Sequence, residues 1–465
     1  MAALHASGGP RRLAAVTGPG IPAAVDRRVL TAVTGEPIAE VEYVPPLLVQ
    51  AVLDRMRAAE PARPVGQQLF DDAAKVLESA DLDGLDPAAY IRSTALATGL
   101  PPSVVEDGLA ALAEGLRQLG TADAAERPAP DSGPGHRVVW VPRAPVIGVV
   151  AASNHSEPHL TWVRALSYGY RVVVRPGGRD PFTPLRIAAA LLAAGLPADR
   201  LAVLPGDHAV SSHLVKSAPL SIVYGGPDAV GRWGGRSDVL VRGPGRSKAA
   251  VGESVRPGDA AVIDHLARAI AGDGGVRCTN ISAVFTCGDP GRLADRLAER
   301  LAGYADPPRF GVDRVGGLQQ SLAQFSGFVD HSRDRYDGGS FLALPDGSIA
   351  ARPVVLSAPD AGHPLVGTEL PFPFVVVAPW DGSLGPLRDS LVLNLLGTDP
   401  VLADRALAEP TVRRVVTGLT EPWHTLPGLP HDGSLRSFLL EPKAHLGFVP
   451  QPGTVPASED QGVRP

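Results

Sequence analysis

Of the two cysteines in the 465 residues, Cys278 and Cys287, only the first lies in a setting suited to chemistry. It stands in Gly272-Asp273-Gly274-Gly275-Val276-Arg277-Cys278-Thr279, a glycine-rich loop just before an apolar run, where a thiol can be reached and act as a nucleophile. Cys287, inside or ending that run, reads as a small buried hydrophobe. A second candidate is Asn154, which follows Val149-Val150-Ala151-Ala152-Ser153. At the carboxyl end of a parallel strand its amide could donate to a developing oxyanion. The third is the turn Tyr224-Gly225-Gly226-Pro227-Asp228-Ala229-Val230-Gly231, whose glycines would let backbone approach a pyrophosphate. Taken singly, each motif also reads as an ordinary loop. Two other constellations fail on spacing. His155, Glu157 and His159 alternate, unlike HExxH, and Pro158 argues against a helix carrying them, so no metal site is expected. Gly243-Pro244-Gly245-Arg246-Ser247-Lys248 lacks the spacing of a phosphate-binding P-loop.

The elements that must position these residues are legible around them. Residues 146–151 read as a strand buried on both faces, 160–168 as a helix, 171–175 as a strand and 184–194 as a helix, with short strands at 201–204 and 220–224. Strands alternating with helices in this way predict βαβ units and a parallel sheet. A second series comprises a helix over 261–271, a strand over 281–286, a helix over 292–301 and strands at 374–378, 391–396 and 412–417. Upstream, Leu47, Leu48, Val52 and Met56, then Val105, Leu109, Leu112 and Leu116, recur at helical spacing. Asp71 and Pro87 read as helix starts. Residues 29–33 read as a strand or arm, 121–135 as a linker and 450–465 as a disordered tail.

Composition narrows the class. The length suits two buried cores. A formal charge of −6 gives no electrostatic reason to expect nucleic acid or an anionic membrane as partner. Two cysteines in one segment make no disulfide framework, which fits reduced thiols and a cytoplasmic setting. Gly18, Pro19, Gly20 and Pro22 interrupt the first residues, so neither a signal-peptide core nor a membrane span is expected there.

In order and spacing, the motifs between Val146 and Gly288 together resemble the aldehyde dehydrogenase superfamily, nearest its CoA-dependent, acyl-CoA reductase branch. The family's strand-then-asparagine motif is matched by Ala151 to Asn154, and its strand ending in Lys-Pro by Val172-Val173-Val174-Arg175-Pro176. Its AGLP element stands as Ala194-Gly195-Leu196-Pro197, its glycine turn as Gly226 to Gly231 and its GQxC loop as Gly275-Val276-Arg277-Cys278. A later Glu-x-Phe-Gly-Pro element is echoed in Glu369-Leu370-Pro371-Phe372-Pro373. The resemblance implies an α/β fold of two parallel-sheet domains, a Rossmann-type cofactor domain (1–122 and 146–255) and a catalytic domain (256–435). A small β oligomerisation arm (123–145 and 436–450) would pair subunits into a homo-oligomer, with Val138 to Val141 as its candidate strand. It implies Cys278 as nucleophile, and Asn154 with the Cys278 backbone N–H as oxyanion hole. Ala152, Ser153, Arg175, Arg179, Gly226, Pro227, Gly231 and Glu369 would surround a nicotinamide dinucleotide, Glu369 at the nicotinamide ribose.

Two departures shape the expected reaction. Members that form free acids carry a glutamate in a LELGGK segment to activate water. The matching Leu240-Val241-Arg242-Gly243-Pro244-Gly245-Arg246 has no carboxylate, so hydrolysis should be slow and a thiol the better acyl partner. The leading expectation is therefore reduction of an acyl thioester, on CoA or an acyl-carrier protein, to an aldehyde. Oxidation of an aldehyde is the alternative, with Glu253 as the substitute base; a catalytically degenerate scaffold is the third reading. After Arg175-Pro176 the chain reads Gly177-Gly178-Arg179, where NAD-preferring members often place a carboxylate. Loss of that acceptor beside two cations favours NADP(H), with NAD(H) as the alternative.

Overall fold

The computed structural model describes residues 11–18, 26–126, 132–133, 135–256 and 258–448; the expected tail beyond 450 lies outside them. Strands β1 (Arg11–Leu13), β2 (Asp26–Thr31) and β3 (Pro37–Tyr43) form a small sheet in the order β1-β3-β2. Helices α1 (Pro46–Ala58), α2 (Gln67–Ser79), α3 (Pro87–Thr98) and α4 (Pro102–Arg117) follow. Pro87 opens α3 as expected, behind an Asp86 carboxylate that accepts from the Ala89 N–H at 2.6 Å. Asp71 does not start a helix. It lies one turn inside α2, where its carboxylate accepts from Gln67 Nε2 at 2.7 Å.

The first large sheet contains β5 (Val146–Val150), β6 (Arg171–Arg175), β7 (Leu201–Val203), β8 (Leu220–Tyr224) and β9 (Val239–Arg242), all parallel, in the order β9-β8-β5-β6-β7. Helices α5 (Leu160–Ser167), α6 (Phe182–Ala193), α7 (His208–Ser217) and α8 (Pro227–Trp233) connect them. Burial on both faces follows the period of two. Val172 and Val174 pack with Phe70, Tyr90, Leu112 and Trp162 on one face, while Val173 packs with Val49, Leu53 and Leu214 on the other. Each such fully buried side chain contributes about 1.5–3 kcal/mol of transfer free energy.

The second sheet holds β10 (Ser247–Val251), β11 (Ile281–Thr286), β12 (Val354–Ser357), β13 (Phe374–Pro379), β14 (Leu393–Leu396) and β15 (Val415–Thr417). They are parallel in the order β12-β13-β11-β10-β14-β15, with Val329–Asp330 antiparallel at one edge. Helices α9 (Ala260–Ala271) and α10 (Pro290–Leu301) cover one face. Because β10 pairs with β11 and β14, the two halves divide at residues 243–246, upstream of the expected boundary at 255. The third piece is a ribbon in which β4 (Gly135–Pro142) pairs antiparallel with β16 (Leu440–Phe448). Residues 123–125, expected in this arm, instead end a short helix, Leu119–Ala125. Among the described residues no helix is long and apolar enough to cross a membrane.

Candidate active site

The strand order of the first sheet reverses between β5 and β8, since the chain winds outward through β6 and β7 and then returns to the other side of β5. A crevice opens at the carboxyl ends of such a pair. Here those ends carry the loop Ala151 to Asn154 and the turn Gly225-Gly226. The chain leaves β9 at its carboxyl end and enters β10 at its amino end through four residues, 243–246. The carboxyl edge of the first sheet must therefore face the amino edge of the second, where Cys278 precedes β11 and Glu369 precedes β13. A cleft of about 1760 Å³ lies between them.

Ala152, Ser153, Asn154, Arg175, Gly226, Pro227, Cys278 and Glu369 all line this cleft. Gly231 and Arg179 do not. Gly231 sits further along α8 on its exposed side. Arg179 packs near Arg314 and Asp313, where burial and the Arg314 charge push its guanidinium down to about 10. Arg175 is buried and donates from Nε and Nη2 to the Gly206 carbonyl at 2.9 and 2.6 Å. The cation pair expected to mark a 2′-phosphate is thus dispersed. Glu253, the expected substitute base, lies beyond the carboxyl end of β10 in a separate cavity of about 320 Å³.

The loop holding Cys278 is shaped by its own residues. Gly274 and Gly275 have φ of +80° and +69°, and a Cβ on Gly275 would come within 2.6 Å of the Pro373 nitrogen. Asn280 accepts from the Arg277 N–H at 2.7 Å and donates to the carbonyls of Ala269 and Gly272. Ser247 donates to the Cys278 carbonyl at 2.9 Å. Arg277 ties this loop to the Asn154 loop through Glu157 at 2.5 Å and through Asp273, which His155 also reaches at 3.1 Å. His155 and Glu157 are therefore a clamp between the two halves. His159 is elsewhere, fully buried and accepting from Trp162 Nε1 at 3.0 Å. No cluster able to hold a metal occurs among the described residues.

Around the sulfur, Asn154 Nδ2 donates to the Val276 carbonyl at 2.7 Å. One N–H of the amide is so used, and the second remains for the cleft. Burial, then the charges of Glu369 and Asp432, push the thiol up to about 12. Glu369 accepts from the N–H groups of Gly245 and Arg246 at 3.1 and 2.7 Å, while burial raises its pKa.

Sequence reasoning missed His431, a residue beside the thiol. His431 Nε2 is 3.9 Å from Cys278 Sγ. Burial and the charge of Arg242 lower its pKa. Beside it Asp432 pairs with Arg242 Nη1 at 3.2 Å, and Arg242 also donates to the Asp432 carbonyl. In sequence, Pro430-His431-Asp432-Gly433 is only compatible with the family resemblance and assigns its histidine no role; proximity in space does. Lys248 was missed too; its ammonium donates to the Arg388 carbonyl at the cleft wall, and burial pushes it down to about 8.

The groove suits a dinucleotide. Where a Cβ on Gly226 or Gly178 would stand there is open space. A Cβ on Gly177 would meet Ser153 Cβ at 2.3 Å, so the floor between β5 and β6 is closed by backbone contact. His208, Ser211 and Ser212 of α7 line the same cleft.

No family model and no curated protein matches the sequence. Solved structures do. An indole-3-acetaldehyde dehydrogenase complexed with NAD+ is similar with a TM-score of 0.76 at 18% identity, over 93% of this chain and 95% of that one. The aldehyde dehydrogenase KauB from Pseudomonas aeruginosa gives 0.76 at 17% over 93% and 95%. An NADP-dependent enzyme of E. coli gives 0.76 at 15% over 94% and 98%. Across nearly its whole length, the chain has the two-domain α/β fold of the aldehyde dehydrogenases.

Proposed function

We propose that the chain is an NAD(P)-linked oxidoreductase acting on an acyl or aldehyde carbon through a covalent bond to Cys278. The observation that carries this reading is the meeting of Cys278, Asn154 and the open backbone of Gly226 in one cleft. A dinucleotide would lie along Gly226 and Pro227, over Ala152 and Ser153, with Glu369 at the nicotinamide ribose. When bound it gives or takes hydride at the carbon held by sulfur. The chain's own residues do the remainder. Cys278 Sγ adds to the carbonyl, and the free N–H of Asn154 with the Cys278 N–H holds the oxyanion. The solved structures similar in fold are named as an aldehyde dehydrogenase, an indole-3-acetaldehyde dehydrogenase and an NADP-dependent enzyme, which supports the nicotinamide-linked reading.

The finer reading is reduction of an acyl thioester, CoA- or carrier-bound, to an aldehyde. Its support is the stretch 240–246, where Arg242 is committed to Asp432 and no carboxylate stands. Glu253 is on the far edge of the second sheet. Without a base to activate water, a thiol is the better acyl partner. Acid formation is the second reading, favoured by Glu369, whose charge reaches the Cys278 thiol. For the cofactor, Gly177-Gly178 still offers no carboxylate to a ribose 2′-hydroxyl, which keeps NADP(H) ahead of NAD(H). Pairing of subunits through the β4–β16 ribbon completes the proposal.

The test is oxidation of NADPH and NADH by the purified chain with short to long acyl-CoA thioesters, beside Cys278→Ala. Consumption lost in the variant supports the reductase. Cofactor reduction with free aldehydes and no CoA, with silence toward every thioester, replaces it with the acid-forming dehydrogenase.

A further inference from the structure

We infer that His431 is the proton carrier of acyl transfer at Cys278, and that Arg242, acting through Asp432, is its positioning residue. The inference rests on the thioester reading above and adds to it a group that touches the reacting sulfur. Nε2 of His431 lies 3.9 Å from Cys278 Sγ, the reach of a loose sulfur–imidazole contact that a bound acyl group can tighten.

The clamp explains why His431 stands there. Arg242 ends β9, at the edge of the first sheet. Its guanidinium holds both the backbone carbonyl and the carboxylate of Asp432, the latter at 3.2 Å, and Arg413 approaches the same carboxylate at 3.8 Å. Fixing residue 432 fixes its neighbour 431 against the cleft wall. Arg242 belongs to the stretch where a water-activating glutamate would otherwise be expected.

The protonation states fit the role. The thiol stays protonated at neutral pH because burial holds it up at about 12, so no thiolate waits in the site. The imidazole stays neutral because burial and Arg242 lower its pKa, and a neutral imidazole can accept. The charged groups facing it are Arg242, Asp432, Arg414 and Glu157, with Cys278 in contact. In the transfer, Sγ forms a bond to the acyl carbon as its proton passes to Nε2. The bond from that carbon to the departing sulfur then breaks, and the same proton passes from Nε2 to the departing thiolate. A thioester and a thiol exchange, the imidazole returns neutral, and no oxidant or reductant is consumed.

The experiment uses the full chain without nicotinamide. Decanoyl-CoA should release one CoA thiol per Cys278 in a burst. His431→Ala and His431→Gln should slow the burst at least about 100-fold, the usual worth of a positioned base, with far-ultraviolet circular dichroism unchanged. In parallel, alkylation of Cys278 by iodoacetamide is followed against pH. The wild-type rate should hold a plateau through neutral pH and fall below an inflection under 6.5. In His431→Ala it should climb about tenfold per pH unit with no plateau. Asp432→Asn should move the inflection to lower pH and Arg242→Gln to higher pH, opposite shifts that a merely structural clamp would not give. Equal burst rates and equal pH profiles in wild type and His431→Ala overturn the inference and leave the thioester reading standing. A His431-dependent plateau with no burst from any thioester keeps the base and removes the thioester reading.

Discussion

Cys278 and Cys287 flank the same strand, one before β11 begins and one after it ends. Cys278 opens on the main cleft with an imidazole beside its sulfur. Cys287 borders the smaller cavity, among Glu253, Asp259 and Asp289. There burial, Glu253 and Asp381 raise its pKa. By topology alone the second edge is the more promising. It is the carboxyl end of a parallel sheet whose order reverses between β10 and β14, the usual place for a ligand. Its carboxylates would repel the phosphates of a dinucleotide. Strand order thus offers two crevices, and local charge together with backbone accessibility selects between them.

The sharpest way to break that comparison is to remove each thiol in turn. Cys278→Ala should lower turnover at least about 1000-fold, as loss of a covalent nucleophile does. Cys287→Ala should leave it within about twofold. Comparable losses in a steady-state assay would erase the distinction between the two edges. Asn154→Ala comes next, with a fall of about 100-fold in kcat from one lost oxyanion donor. A rise in KM alone would demote Asn154 to a loop tie on the Val276 carbonyl. Gly226→Val probes the backbone access that the first edge has. Gly226 has φ of −83°, and nothing stands within 4 Å of its Cβ site, so folding should be untouched. Cofactor affinity should weaken about tenfold, near 1.4 kcal/mol, by fluorescence titration, while the thermal midpoint stays put. Smallest is the cation test. Arg179→Ala should change the NADPH-to-NADH ratio of kcat/KM by less than about twofold, because Arg179 is outside the cleft. Arg175→Ala should change it about threefold, a modest effect of a charge already shared with the Gly206 carbonyl.

Much of this was legible in the chain. The strands at 146–150, 171–175, 220–224 and 281–286 announce themselves because parallel strands buried on both faces are short runs of β-branched residues bounded by glycine and polar turns. Cys278, Asn154 and Gly226 were found because each sits beside such a run, at a fixed offset from a strand end. Where the reading went astray, the information was not local. Asp71 has the residue type of a helix start, but the helix begins earlier, at Gln67, whose side chain bonds to Gln67's own turn partner Asp71 and to the end of α4. Arg179 follows two glycines in sequence, yet the chain turns it toward Arg314. The boundary at 255 failed because β10 joins its sheet through β11 and β14, both far downstream.

The sequence by itself determined the alternation of strands and helices, hence two parallel sheets, and it determined which thiol lies on a glycine loop. Those properties depend on residues a few positions apart, where side-chain size and backbone freedom act directly. Tertiary structure alone decided what surrounds that thiol. It brought His431 to the sulfur, set Arg242 on Asp432, joined Arg277 to Glu157 and sent Glu253 to the opposite edge. Those contacts join residues from distant segments, and their partners are chosen by which ends of the two sheets the crossing at 243–246 turns toward each other.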